Sequence, residues 1–140
     1  MCALSTRTMS HEPSDREVLS VFALTASDRY EFFIDRVADY EEVWSASPGG
    51  TKLLMPSNVE GKVYVPVWPH KKFAEVAVAA NFPKARVREL DFEKWMEELL
   101  PKYAEDGVVV AVFPNRNWDG VFEEAAQVKS DIESKLEEYK

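Results

Sequence analysis

Two apolar runs in this chain end alike, and the residues at those endings have side chains suited to binding chemistry. Val63-Tyr64-Val65-Pro66-Val67-Trp68-Pro69-His70 and Val108-Val109-Val110-Ala111-Val112-Phe113-Pro114-Asn115 both leave through an aromatic, a proline and a polar residue. Proline has no amide hydrogen and biases its predecessor away from helix, so each run stops pairing at its aromatic and sends the polar residue out of the sheet. A helix is predicted to start near His70, and the free amides and positive dipole end of a helix start favour an anion. Lys71 and Lys72 are locally unfavourable there without one. His70, Lys71 and Lys72, backed by Trp68 and joined by Arg86 or Arg88, therefore form a candidate site for a carboxylate or phosphate, free or carried by a partner protein. The plainer reading leaves the lysines hydrated and Trp68 in the core. At the second ending, Asn115 is followed by Trp118 in a polar loop. An exposed tryptophan there marks a protein interface, and one folded back marks a lid on the core.

The two endings meet at one end of a sheet only if their strands run the same way, at the edge where open α/β sheets bind ligands. Pro66 cannot donate to a ladder, which makes the first run an edge or bulged strand. The unbroken Val108–Phe113 run reads as a central strand covered on both faces. The endings are thus expected to be neither equivalent nor adjacent, and to share no more than an asymmetric rim.

Other chemistries fit the residues poorly. The histidines are His11 and His70, and Cys2 is the single cysteine, which argues against a transition-metal site and an internal disulfide framework. A serine nucleophile lacks its Gly-x-Ser-x-Gly elbow, and five glycines are too few for a phosphate loop. Glu93, Glu97 and Glu98 crowd one helix on the face away from Trp95 and Met96, a solvated face rather than an acid–base pair. No catalytic residue, metal or cofactor is expected, and the chain is read as leaning away from enzyme function.

The chain has 140 residues, 46% of them apolar, enough for one domain that buries about two thirds of its unfolded surface. A net charge of −8 argues against nucleic acid, and no apolar stretch approaches the roughly 20 residues of a membrane span. No secretory signal is apparent at Met1, so the cytoplasm is the expected compartment. Charge is uneven: Lys62, Lys71, Lys72, Lys84, Arg86 and Arg88 face few acids, whereas acids dominate from Glu89 to Asp106.

The elements that must position these residues read as α+β. A mobile leader is expected over residues 1–13, with Met9 an alternative start, and a single domain over 14–140. Ser14 and Glu17 have capping-box spacing before a helix carrying Val18, Leu19 and Phe22 inward. Thr25 starts a longer helix with Tyr30, Phe33, Ile34 and Val37 inward and Arg29, Asp35 and Arg36 facing away. Val43–Ala46, the turn Pro48-Gly49-Gly50, Lys52–Met55 and the Val63 run suggest a three-strand meander. There follow a helix over Lys71–Ala80 burying Phe73, Val76, Ala77 and Ala80, a half-exposed strand Ala85–Arg88, and a helix capped by Asp91 that Pro101 should kink or end. The Val108 strand and a last helix from Glu123, with Ala125, Val128, Ile132, Leu136 and Tyr139 inward, complete one mixed five-stranded sheet with helices around it. The series from Val63 to Phe113 would be right-handed if parallel.

Laid out in this way, the chain resembles an uncharacterised bacterial domain-of-unknown-function family, number 2750. The resemblance is carried by Arg29-Tyr30-Glu31-Phe32-Phe33-Ile34 leading to Val43-Trp44, by Pro66-Val67-Trp68-Pro69, by Phe92 with Trp95, and by Glu105-Asp106-Gly107 through Phe113-Pro114-Asn115. It implies no activity. More loosely, the order of elements is similar to the N-terminal domain of enhanced-serine-sensitivity proteins, which implies the fold and a non-catalytic tendency. The resulting expectation is a small acidic interaction or regulatory module that binds a protein partner, immunity-like or adaptor in role. The alternative is an enzyme or sensor for a small anionic ligand at His70, Lys71 and Lys72.

Overall fold

The computed structural model describes residues 12–58 and 60–138. Most of the expected leader, with Cys2, Met9 and His11, lies outside these residues, as does Tyr139. Helix α1 (Asp15–Phe22) starts where Ser14 Oγ accepts the Glu17 amide at 3.1 Å. Helix α2 (Ala26–Tyr40) starts where Thr25 Oγ1 accepts the Asp28 amide at 3.1 Å. Strand β1 (Val43–Ser47) and strand β2 (Tyr64–Val67) precede helix α3 (Lys71–Asn81). Strand β3 (Arg86–Leu90) leads to helix α4, which Asp91 caps and which runs through Phe92–Lys94, Trp95–Leu99 and Leu100–Asp106. Strands β4 (Val109–Val112) and β5 (Val121–Glu124) and helix α5 (Ala125–Glu138) close the chain.

These elements give the expected α+β class. The five strands, however, divide into two sheets, β1-β3 and β2-β4-β5, instead of forming one. β1 and β2 touch at a single bridge, where Trp44 and Trp68 exchange amide bonds at 2.9 and 2.8 Å. The ladder fails to continue because Pro66 has no N–H to give, and Ser45 Oγ donates to the Pro66 carbonyl at 2.6 Å. The proline seen in the sequence is therefore the seam between the sheets, and it leaves β2 at the edge of its own three-stranded sheet.

The meander does not form. After the turn, the Lys52–Met55 segment gives β1 one bond, from the Leu54 amide to the Ala46 carbonyl at 2.8 Å. It then crosses to β2, where the Pro56 carbonyl accepts from Tyr64 at 2.9 Å. Pro56 cannot extend a ladder, and β3 takes the long edge of β1 in antiparallel register, Ala46 opposite Val87 and Val43 opposite Leu90. The fifth strand is Val121–Glu124, so the last helix begins at Ala125 and not at Glu123. Gly120 makes that return possible: a Cβ there would lie 2.8 Å from the Val112 carbonyl oxygen.

Pro101 does not end α4. A π turn over Trp95–Leu99, with the Leu100 amide bonded to the Trp95 carbonyl, absorbs it and the helix continues to Asp106. The buried stripes also shift by a residue or so: α1 buries Val21 while Leu19 is exposed, and α3 buries Ala74 and Val78 while Ala80 is exposed. Under the carboxyl ends of β2 and β4 sits a knot of aromatic rings. Phe113 meets Phe73 at 4.9 Å and Phe22 at 5.8 Å between ring centroids, and Phe32 borders Phe73 and Phe113.

Candidate functional site

β2 and β4 are parallel and in register, Val67 beside Val112, so the two endings are neighbours. This corrects the expectation that they are not adjacent: the edge strand and the central strand are consecutive in the sheet order. The Phe113 amide bonds to the Val67 carbonyl at 2.8 Å, and the Trp68 indole N–H donates to the Pro114 carbonyl at 2.8 Å. Trp68 is wholly buried.

Beyond Pro114 the chain folds onto itself. Asn115 Oδ1 accepts the amides of Asn117 at 2.9 Å and Asp119 at 3.0 Å, closing a turn in which Asn115 N bonds back to the Asp119 carbonyl. Trp118 is a half-buried lid. Its ring packs 5.0 Å from Phe82 and 5.8 Å from Trp68, and its N–H donates to the Tyr64 hydroxyl at 2.7 Å. Phe113 and Trp118 hold positive φ, 57° and 62°, which side chains of this bulk adopt only where their surroundings fix them.

Phe113 is held by Arg29, expected on the outer face of its helix and in fact 1% exposed. Its guanidinium donates to the carbonyls of Phe113 at 3.1 Å, Phe22 at 3.2 Å, Asp119 at 2.7 Å and Leu24, and it lies 3.4 Å from the Asp119 carboxylate. The planar fork suits an arginine to gather several carbonyls at once. The signal was present in the spacing, since Arg29 shares an i, i+4, i+8 stripe with Phe33 and Val37, both fully buried. Next to it, the Tyr30 hydroxyl bonds to Asp131, and burial with that bond pushes the phenol well above its usual range.

The cations of the first ending turn to separate partners. His70 caps α3, its Nδ1 accepting the Lys72 amide at 3.1 Å, so that amide is already bonded. Lys72 Nζ reaches back to α1, bonding Asp15 at 3.0 Å and the Pro13 carbonyl at 3.0 Å. Lys71 lies 3.9 Å from Glu75 and 6.0 Å over the Trp44 ring.

Arg86 and Arg88 stand on β3, where Arg86 shares a concavity with Lys71. Two shallow concavities of about 470 Å³ each flank this strand: one shares Arg86 with Lys71 and Trp44, and the other joins Lys84, Arg86 and Arg88 to the Pro48-Gly49-Gly50 turn. Arg88 makes one long bond, 3.5 Å, to the Gly50 carbonyl. Lys84, Arg86 and Arg88 form no ion pair among the described residues, like Arg16, Lys52, Lys62, Lys94 and Arg116 but unlike Lys71, Lys72, Lys102, Lys129 and Lys135; what sets them apart is that they cluster. At the far end of β3 the sign reverses. A groove of about 1180 Å³ is lined by Glu41, Glu89, Asp91, Glu93, Glu97 and Glu98 around Leu90 and Met96. Desolvation, with Glu42 close by, raises the Glu89 carboxyl. The three α4 glutamates are exposed, as their helical face implies.

Among the described residues no group of His, Cys, Asp or Glu is placed to hold a metal, and no helix is long and apolar enough to cross a membrane. The chain belongs to a family described as a protein of unknown function, DUF2750, whose model matches residues 30–132. That span contains both strand endings, the Trp118 loop and all five strands, but stops one residue short of Arg29. No curated protein and no solved structure matches the chain.

Proposed function

We propose that this chain is a small cytoplasmic interaction or regulatory module that acts by binding another protein, in an immunity-like or adaptor role. The observation that carries this reading is the cluster of Lys84 with Arg86 and Arg88 of β3, unpaired among the described residues in an acidic chain. With a net charge of −8, carboxylates outnumber cations, yet Lys84, Arg86 and Arg88 have no ion-pair partner among the described residues. Clustered cations left uncompensated are available to a partner of opposite charge and speed its approach.

At the two strand endings the polar side chains are occupied structurally. His70 caps a helix, Asn115 closes a turn and Asp119 faces Arg29. The Trp118 loop is held rigidly beside Phe82, on the segment that leads into β3, so a preorganised surface adjoins the cationic strand.

The test is site-specific photo-cross-linking in native cells, with the cross-linker placed singly at Lys84, Arg116 and Ala126, together with native mass spectrometry of the purified chain. A discrete protein adduct at one or more positions is expected. Absence of protein adducts at all three, or a stoichiometric small molecule retained on the chain, overturns the reading; the second result favours the small-anion alternative.

A further inference from the structure

We propose that β3 accepts an extended acidic segment of a partner protein as an added strand on its free edge. The inference rests on the protein-binding reading above and names the chemistry of the partner. Among the described residues the backbone of β3 bonds to β1 alone, in a continuous antiparallel register from Val43↔Leu90 to Ser47↔Arg86. A strand paired on one side presents a row of amides and carbonyls on the other, which is a template for another strand.

Side-chain chemistry then selects the occupant. Arg86 and Arg88 alternate with Val87, so they share one face of the strand, and Lys84 precedes them at the same spacing. A segment with carboxylates at alternate positions sets each of them opposite a cation, and opposite charges across a strand pair are favourable. Concavities on both sides of Arg86 and Val87 leave room for the side chains of such a segment.

A second copy of the chain does not fit by pairing its own β3 with this one. Two-fold antiparallel pairing of β3 with itself keeps the faces, so residue numbers in a pair must sum to an even value. Centring the axis on Arg86 or Arg88 sets that arginine against its own copy, centring it on Val87 sets Arg86 against Arg88, and centring it on Glu89 pairs that acid with itself. Like charges directly opposite are destabilising in every case. Nucleic acid is disfavoured because a sugar–phosphate backbone lacks the alternating N–H and C=O groups with which an added strand pairs to an open edge.

The probe is a blocked, fluorescein-labelled octapeptide of alternating glutamate and valine, titrated into the full chain and followed by anisotropy and by amide NMR with hydrogen exchange. Saturable binding is expected, with shifts and slowed exchange concentrated in Arg86–Leu90. The Arg86→Gln/Arg88→Gln double variant should bind about tenfold more weakly at unchanged thermal stability. A peptide N-methylated at alternate residues should also bind more weakly, because strand addition uses the peptide N–H groups.

No binding, equal binding of the N-methylated peptide, equal binding of a lysine–valine counterpart, or the same shifts from inorganic phosphate alone each overturns strand addition. The phosphate result assigns the cations to a free anion. If the peptide fails while cross-linking still yields a protein adduct, only the strand-addition inference is lost.

Discussion

The two regions that carry polar groups near the surface are built on opposite principles. At the paired exits of β2 and β4, the polar groups around the turn are tied together: Arg29 gathers carbonyls from four residues, Asn115 closes the turn, His70 caps α3, and Trp68 and Trp118 each satisfy their indole N–H. On β3, Arg86 and Arg88 form no ion pair and one edge of the backbone is open among the described residues. A site that consumes its own polar groups supplies rigidity; one that leaves them unmatched is free to use them on something else. The region singled out by its sequence echo is therefore the scaffold, and the alternating strand beside it is where we propose that a partner binds.

Substitutions can break this contrast, beginning with the largest expected effect. Arg29→Met should destabilise the chain by about 3–5 kcal/mol in urea unfolding, because it strands several buried carbonyls at once. Arg29→Lys should rescue little, since one ammonium cannot span the fork. A loss under about 1 kcal/mol would mean that the turn holds itself.

Trp118→Ala should cost about 2–3 kcal/mol, less than a fully buried tryptophan because the ring is half exposed. Thermal melts would show it, with Tyr64→Phe reproducing a part of the same loss through the missing hydroxyl. Unchanged stability would return Trp118 to the interface reading.

His70→Ala should cost about 1 kcal/mol, the usual value of an N-cap, and His70→Asn should restore most of it. Smaller still, Arg86→Gln and Arg88→Gln should each change stability by less than about 0.5 kcal/mol by calorimetry. A large loss from either would make β3 part of the scaffold and erase the distinction between the regions.

Much of the local structure was legible in the residues themselves. Ser14, Thr25 and Asp91 cap helices as their types and spacing require, Val109–Val112 is buried on all sides as an unbroken apolar run must be, and Pro66 marks a break in pairing. Val121–Glu124 was not legible as a strand: four residues alternating between half-buried and exposed positions look like the start of the helix that follows, and only the β4 edge recruits them. Nor did the turn at Gly49-Gly50 decide which strand β1 would take, since a two-glycine turn permits a hairpin without favouring it over a distant partner with matching valine and leucine positions.

The candidate site divides along the same line. The sequence by itself determined where the strands end, which residues cap the helices and that basic residues cluster before Glu89, because these depend on proline geometry, hydrogen bonds over a few residues, and composition. The tertiary structure decided that β2 and β4 are parallel neighbours, that Arg29 lies inside, and that Arg86 and Arg88 stand on the edge strand β3, with Arg86 sharing a concavity with Lys71. Those are properties of pairing between segments far apart in the chain, where many partners satisfy the local pattern and packing of the whole selects one.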